Sequence, residues 1–462
     1  MAELDEILAR YTHPQTGSLH GAAFVAVDRN GKDIYRGVAG RKYVDPTSTE
    51  KLTLDTVTWI ASQSKLVTSV SVLIAVEKGL IGLDDDVRKV VPLLENIQVI
   101  TGFEDGEGEP GPGVGKPIFE DPNGPITLRQ LVTHTSGFCY DAWNPLLQKY
   151  SVWAGRKENM FSGTIEGQLH PLIFQPGTSW SYGPGLDWAG KVIESLTGIT
   201  FDEFQQQNIW GPLGAKSTTF FPAKRGLTQK DIMELGRRSE NSPPQDLVPG
   251  TSPWPFDCRD SLGGAGLFST ANDYSRLLAA LVSGGGPILS AASLDELCRP
   301  QVGVASDADM RRFVTSDSNA HSKGWLWTTD PENHWQDYME VRQCLCGLVN
   351  SEDVVDAEGK HRRRRKGTVN WDGLPNLLWF VDRESGVAAT FFTQIMPMDD
   401  VADTAAFGAG KSKPWVQPGY TCSPTSTSVS ARLANRIVLS RNGSSSLMIL
   451  YKDGSLTIAS DN

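Results

Sequence analysis

The chain has 462 residues, 39% of them hydrophobic and 21% charged, a composition that suits a globular protein of two domains, or one large domain with an insertion. Its 43 Lys and Arg against 54 Asp and Glu leave a net charge of −11, which argues against nucleic acid as a main partner. No window approaches the roughly 18 uninterrupted apolar residues of a membrane helix, so no membrane partner is expected.

The start, Met1-Ala2-Glu3-Leu4-Asp5-Glu6, is acidic and lacks the basic and apolar regions of a secretion signal. Residues 4–12 read as a short helix. Ala22–Val27 and Ile34–Gly40 read as a hairpin closed by Asn30-Gly31, and the first of these runs is apolar enough to predict burial on both faces. Trp59–Val67 leads into a helix marked by Leu66, Val67, Val70, Leu73 and Ile74, with Gly79 as its stop. Leu83–Val87 starts another, its acid cluster reading as N-capping rather than metal-binding because no further oxygen-ligand spacing follows. Residues 101–125, rich in Gly, Pro, Asp and Glu, read as a surface loop. Ile126–Gly137 is a capped helix ending in a polar turn, and the pattern stays mostly helical to about residue 215. Residues 223–260 are loop-like, a helix occupies 271–283, and strands dominate from about 323: Val341–Val349, Arg365–Gly373, Asn376–Asp382 and Val387–Thr393.

This order predicts an α+β fold, an antiparallel β-sheet flanked by helices with a mostly helical domain inserted. The sheet domain would comprise 1–90 and 216–407, and the helical domain 91–215. Residues 408–462 read as a C-terminal extension of unassigned role, with an Asp453-Gly454 hairpin at 446–458. Six scattered cysteines without a C-x-x-C pair read as reduced thiols of a cytoplasmic protein, and seven histidines without H-x-H or H-E-x-x-H spacing predict neither metal nor cofactor.

Chemistry enters at Ser62 and Lys65, three residues apart on one helical face and about 5–6 Å apart at Cβ. A lysine held there can take the serine's proton if burial lowers its pKa, and the helix N-terminus favours an oxyanion. Ser64 adjoins Lys65 but, as an i,i+1 neighbour, does not face it. Taken alone, the pair is also satisfied by an N-cap serine and a solvated lysine. A Ser–Lys pair needs a second proton-handling group and oxyanion donors. Tyr182, displayed between a turn at Gln175–Thr178 and a helix from Leu186, is the candidate for the first; a packing tyrosine is the alternative. In Trp371-Asp372-Gly373-Leu374, a strand glycine permits close approach and the next N–H can face Ser62; a plain edge-strand glycine is the alternative.

In this order the three signals resemble the serine β-lactamase-like superfamily of class C β-lactamases, penicillin-binding proteins and family VIII carboxylesterases. That superfamily carries Ser-x-x-Lys, Tyr-x-Asn, and Lys-Thr-Gly or, in esterases, Trp-x-Gly; here these are Ser62–Lys65, Tyr182–Pro184 and Trp371–Gly373. Leu131–Gly137 and Gly264–Thr270 also look like it, and the resemblance runs from about residue 10 to about 400. Trp180-x-Tyr182-Gly183-x-x-Leu186-Asp187-Trp188-Ala189-Gly190-Lys191, Ile126–Arg129 leading to His134-Thr135-Ser136-Gly137, and Arg364–Gly367 leading to Pro375-Asn376 are similar to the fungal side-chain acyltransferases of the lovastatin pathway.

The resemblance implies a β-lactamase/transpeptidase-like fold and ping-pong chemistry. Ser62 would be acylated by a thioester or ester donor, Lys65 would accept its proton, and Tyr182 would shuttle protons. The N–H groups of Ser62 and Leu374 would hold the oxyanion, while Tyr140, Trp180, Trp371, Asp372 and Gly373 would line the substrate pocket. A small-molecule acceptor, the hydroxyl of a polyketide-like secondary metabolite, would then take the acyl group. If water takes it instead, the same machinery is an esterase or thioesterase. An inactive binding protein or a β-lactamase are lesser readings. Pro184 replaces the asparagine that would hold a lactam amide and Trp371 the lysine that binds a β-lactam carboxylate, so both argue against lactams.

His134 reads as a structural hydrogen-bonder rather than a base. His361–Lys366 reads as a solvated hairpin arm, with docking of an acidic acyl-carrier domain as a minority alternative. Ala405–Ser412 imitates a phosphate loop, but Ala405 occupies the required first glycine and the reading is rejected.

Overall fold

Both halves of the chain contribute to one sheet. In the computed structural model, which describes residues 2–104, 115–239, 246–315, 341–353 and 365–396 together with strand segments 416–417, 420–421, 447–452 and 455–460, helix α1 (Ala2–Tyr11) leads into a hairpin of β1 (Gly21–Asp28) and β2 (Asp33–Gly40). Gly31 closes the turn at φ 72°, the left-handed conformation that an Asn-Gly turn asks of its glycine. The other strands come from far down the chain: β3 (Val341–Gln343), β4 (Leu348–Asn350), β5 (Val369–Gly373), β6 (Leu377–Asp382) and β7 (Val387–Phe392). Their spatial order is β2-β1-β7-β6-β5-β4-β3, antiparallel at every step. A meander is thus completed by the N-terminal hairpin laid against its last strand.

The apolar run of β1 is buried on both faces, and its period of two divides it between two cores. Ala23, Val25 and Val27 join the main core, while Ala22, Phe24 and Ala26 join a smaller one with Leu4 and Leu8 of α1 and Phe380 and Phe391. The other α-helices among the described residues are α2 (Ser64–Glu77), α3 (Leu128–Val132), α4 (Pro145–Trp153), α5 (Gly185–Thr197), α6 (Phe201–Gln205), α7 (Ala271–Val282), α8 (Ala291–Cys298) and α9 (Val304–Thr315). Helix α7, N-capped by Thr270, crosses β1 and β7.

Helix α2 packs against α5 and α8 and is buried from Ser64 to Ala75. The apolar positions read from the sequence mark one side of it. Its other side is polar and satisfied inside the protein: Thr68 donates to the Gly263 carbonyl at 2.8 Å and Ser69 to the Leu345 carbonyl at 2.6 Å.

Several local expectations change, among them the loop-like stretch 223–260, where Gly236–Arg238 pairs with Leu247–Pro249. Within the stretch read as a surface loop, Val99–Phe103 pairs with Pro117–Glu120, because short apolar segments flank the Gly/Pro-rich centre. Val341–Val349 is two strands rather than one, folded back at Cys344–Gly347 with Gly347 at φ 147°. The helix expected after the acid cluster shrinks to a 3-10 turn, Val87–Lys89, which Asp86 caps at the Arg88 N–H, while Asp84 pairs with Arg129. The tail hairpin forms, Leu447–Lys452 against Ser455–Ser460. His361–Arg364 and Ala405–Ser412 lie outside the described residues. No helix among the described residues is long and apolar enough to cross a membrane.

Candidate active site

The site begins where Thr58–Trp59 pairs with Phe268–Ser269 and the chain then turns sharply. Ala61 sits at φ 45°, an unfavourable conformation for a residue with a Cβ. Hydrogen bonds on either side hold it there: Ile60 N–H to the Leu267 carbonyl and Gln63 N–H to the Ile60 carbonyl, both at 3.0 Å. Ser62 therefore lies in a 3-10 turn, Ala61–Gln63, just before α2 rather than in the helix itself. The i,i+3 relation survives: Lys65 Nζ is 3.1 Å from Ser62 Oγ. Ser64 is engaged elsewhere, accepting the Leu267 N–H at 3.1 Å.

Tyr182 reaches the same serine from its own loop, its hydroxyl donating to Ser62 Oγ at 2.8 Å. Its loop is pinned to the segment after α3. Ser181 N–H donates to the His134 carbonyl at 2.9 Å, and Tyr140 N–H donates to the Tyr182 carbonyl at 3.2 Å. A side chain at Gly183 would meet the Phe138 carbonyl at 2.6 Å, so glycine is what lets the two segments touch. His134, at φ 60°, accepts the Gly183 N–H on Nδ1 at 3.3 Å, the structural role read from the sequence.

Lys65 is buried, and its Nζ also contacts the Gly264 carbonyl at 2.8 Å and the Tyr140 hydroxyl at 3.2 Å, lying 4.6 Å from the centre of the Tyr182 ring. Burial pushes its pKa down to about 7, against the opposing pull of the Asp187 and Asp372 carboxylates. Burial likewise holds the Tyr182 and Tyr140 phenols above their ordinary values.

Trp371, on β5, donates its indole N–H to the Tyr182 hydroxyl at 3.3 Å. Two residues on, a Cβ at Gly373 would stand 2.5 Å from the Ile60 carbonyl, which brings the end of β5 alongside the Ser62 turn; Leu374 follows, half-buried. Rings surround Tyr182: Tyr140 at 5.4 Å, Trp371 at 5.5 Å, Phe313 at 5.9 Å, Trp143 at 6.0 Å and Trp180 at 6.4 Å. Trp180 turns its N–H away to Gln343, at 3.1 Å.

Ser62, Lys65, Tyr182, Tyr140, Trp180 and Trp371 thus come together in one cluster, with Asp372 acting on it through its charge and Gly373 at its edge. Sequence reasoning missed Asp187, the Gly264 carbonyl, Trp143 and Phe313. Asp187 had a signal, a lone carboxylate between Leu186 and Trp188 at the start of an apolar helix. Phe313 had none, since α9 reaches the cluster from more than a hundred residues downstream. Among the described residues no group of three or more His, Cys, Asp or Glu is placed to hold a metal ion.

Known proteins resemble this chain over most of its length. The family model described as Beta-lactamase matches residues 5–410. The chain is 33% identical over 386 residues to a protein named lovastatin esterase from Penicillium rubens, covering 83% of this chain and 91% of that one. It is 31% identical over 383 residues to ML-236A carboxylate methylbutanoyltransferase from Penicillium citrinum, covering 82% and 86%. Unliganded simvastatin synthase from Aspergillus terreus superposes with a TM-score of 0.72 at 27% identity, covering 86% of this chain and 93% of that one. The chain belongs to the Beta-lactamase family and is an enzyme of its acyltransferase and esterase branch.

Proposed function

We propose that this enzyme is a serine acyltransferase that forms an acyl-Ser62 intermediate from a thioester or ester and passes the acyl group to a hydroxyl of a polyketide-like small molecule. One observation carries the reading: Ser62 Oγ lies between a buried amine at 3.1 Å and a phenol at 2.8 Å. As a neutral amine, Lys65 has two N–H bonds for the Gly264 carbonyl and the Tyr140 hydroxyl, and a lone pair left for the serine proton. Ser62 Oγ attacks the acyl carbonyl, and Lys65 takes its proton. As the tetrahedral adduct collapses, the C–S or C–O bond to the leaving group breaks and Tyr182 donates the proton that group needs, restored to it from Lys65. The acceptor hydroxyl then repeats these steps in reverse. The Ser62 and Leu374 N–H groups are our candidates for the oxyanion.

The acceptor reading draws on the relatives named as methylbutanoyltransferases and on the aromatic rings packed around Tyr182, an apolar surface suited to an organic acceptor rather than water. Hydrolysis by the same residues is the second reading, favoured by the relative named an esterase. For the donor we propose an acyl thioester, with an acidic acyl-carrier domain steered by the basic run His361–Lys366 as one source. The five described cysteines are free and buried, which suits a cytoplasmic setting.

The test is an intact mass spectrum after incubation with a short acyl thioester. An adduct on Ser62 that polyketide alcohols discharge is the expected result. No adduct removes the reading, and discharge unaffected by every alcohol makes the protein a hydrolase. Reversing the charges of the basic run should slow transfer from carrier-bound acyl groups only; equal slowing with a small thioester removes the carrier.

A further inference from the structure

Asp187 stands in the first turn of α5, 2% exposed, and none of the steps above uses it. It is nonetheless joined to Lys65 by two short routes. Its Oδ1 accepts the Gly264 N–H at 2.8 Å, and the carbonyl of that same residue receives Lys65 Nζ at 2.8 Å. The Tyr140 hydroxyl is hydrogen-bonded to Asp187 and contacts Lys65 Nζ at 3.2 Å. A Cβ at Gly264 would run into the Asp187 carboxylate, so only glycine leaves room for the first route.

From this geometry we infer that Asp187 is a positioning residue for Lys65, aligning the amine on Ser62 through the Gly264 backbone and the Tyr140 hydroxyl and countering the charge the amine gains. The inference rests on the Ser62–Lys65 reading of the preceding section. A lysine stem carries several rotatable bonds. A lone pair reaches the serine proton only if the N–H bonds are held by fixed acceptors, and Asp187 fixes both of them. When the serine proton arrives, the ammonium forms in a buried place where an unpaired charge is costly; a nearby carboxylate offsets that cost.

Lys65 is faced by Tyr140, by Tyr182, by His134, which burial keeps neutral, and by Asp187, all from the α3–α5 side. From the sheet side it is faced by Asp372 and, across a small cavity, by Cys346, whose thiol burial keeps protonated. The negative charges in this ring are therefore Asp372 and Asp187, whose carboxyl burial pushes up to about 6 against the opposing pull of the Lys65 charge and the Gly264 N–H. Each favours the ammonium, so neutralising one should let Lys65 shed its proton at lower pH.

The experiment follows Ser62 acylation by a short acyl thioester against pH, by intact mass, in the wild type and in Asp187→Asn. The amide can still accept the Gly264 N–H, so this variant removes the charge and spares the contact. The expected result is an acid limb moved down by about one pH unit and a plateau lowered roughly ten-fold. Tyr140→Phe, which deletes one oxygen and tests the second route if D187N does not fold, should move the limb the same way by less. A limb that stays in place in both variants overturns the inference, whether or not the plateau falls, since a merely structural aspartate would lower the plateau alone. A wild type that forms no Ser62 adduct at any pH removes the underlying reading and the inference with it; a wild-type adduct with unmoved limbs removes the inference alone.

Discussion

Trp371 donates to the hydroxyl of Tyr182, and that hydroxyl donates onward to Ser62 Oγ, so one indole N–H fixes the direction in which the phenol points its proton. The Tyr182 oxygen is poised as acceptor from the indole and donor to the serine. Replacing Trp371 by phenylalanine keeps most of the ring packing, 5.5 Å between centres, and removes that single donor. A neutral hydrogen bond is worth about 1 kcal/mol. Trp371→Phe should therefore lower the rate of Ser62 acylation roughly five- to ten-fold, while the thermal midpoint stays near that of the wild type. An acylation rate equal to wild type would show that the indole matters only as a wall.

The buried amine sets a direction for the pH profile. Burial brings Lys65 down to about 7, and the neutral form is the one with a lone pair. Acylation should be slow below that value, where the ammonium dominates, and should rise through it to a plateau. Lys65→Arg keeps a cation at all working pH values and should lose acylation at every pH. A profile that falls as pH rises from 6 to 8 would exclude the amine as base.

How much of this was legible in the sequence differs by kind of contact. Ser62 and Lys65 are three residues apart, and helical geometry alone put them together; even the shift of Ser62 into a 3-10 turn left that distance intact. Tyr182 and Trp371 stand far apart along the chain, and no periodicity joins them to Ser62. Their ordered motifs did. The sheet was readable from alternating and apolar strands, because a strand's period survives whatever pairs with it. Phe313 and the Gly264 carbonyl were not readable. One is an ordinary aromatic on a helix, and the other is a backbone atom that no residue type announces. The hairpin Val99–Phe103 with Pro117–Glu120 was hidden by the Gly- and Pro-rich composition between its strands.

Acid should destabilise the fold through buried histidines. Burial pushes His20 down to about 3 and His170 down to about 4. In the unfolded chain a histidine titrates near 6.5, so between these values the unfolded state binds more protons than the folded one. The stability these groups contribute is fully present above about 6.5 and is lost as pH falls toward 4 and 3. At about 1.4 kcal/mol per unit, the two together remove about 4 kcal/mol of stability by pH 5. The urea midpoint should thus drop measurably between pH 7 and pH 5, and His20→Leu should flatten part of that slope. Equal midpoints at the two pH values would contradict the assignment of these histidines as buried and neutral.

The last expectation concerns how Tyr182 is held rather than what it does. Its loop enters α5 through Gly183 and Gly185, and a Cβ at Gly185 would collide with the Leu131 carbonyl of α3. That carbonyl belongs to helix backbone and cannot swing aside as a flexible side chain can. Gly185→Ala must therefore push α5 away from α3, and overpacking of this kind costs about 1–3 kcal/mol. Since α5 carries Asp187 and follows directly on Tyr182, the displacement should reach both the Ser62 hydroxyl and Lys65. The expected outcome is a lower urea midpoint together with slower acylation, by more than Trp371→Phe produces. His134→Ala should do less to stability, because it removes the 3.3 Å contact to the Gly183 N–H and the ring packing on Tyr182 and Trp180, at 4.8 and 5.7 Å, but leaves the backbone pins in place and pushes no helix aside. Measured side by side, Gly185→Ala must be the more damaging of the two in both readouts. The reverse order would mean that the Tyr182 loop is held by the imidazole, not by the close approach of α5 to α3.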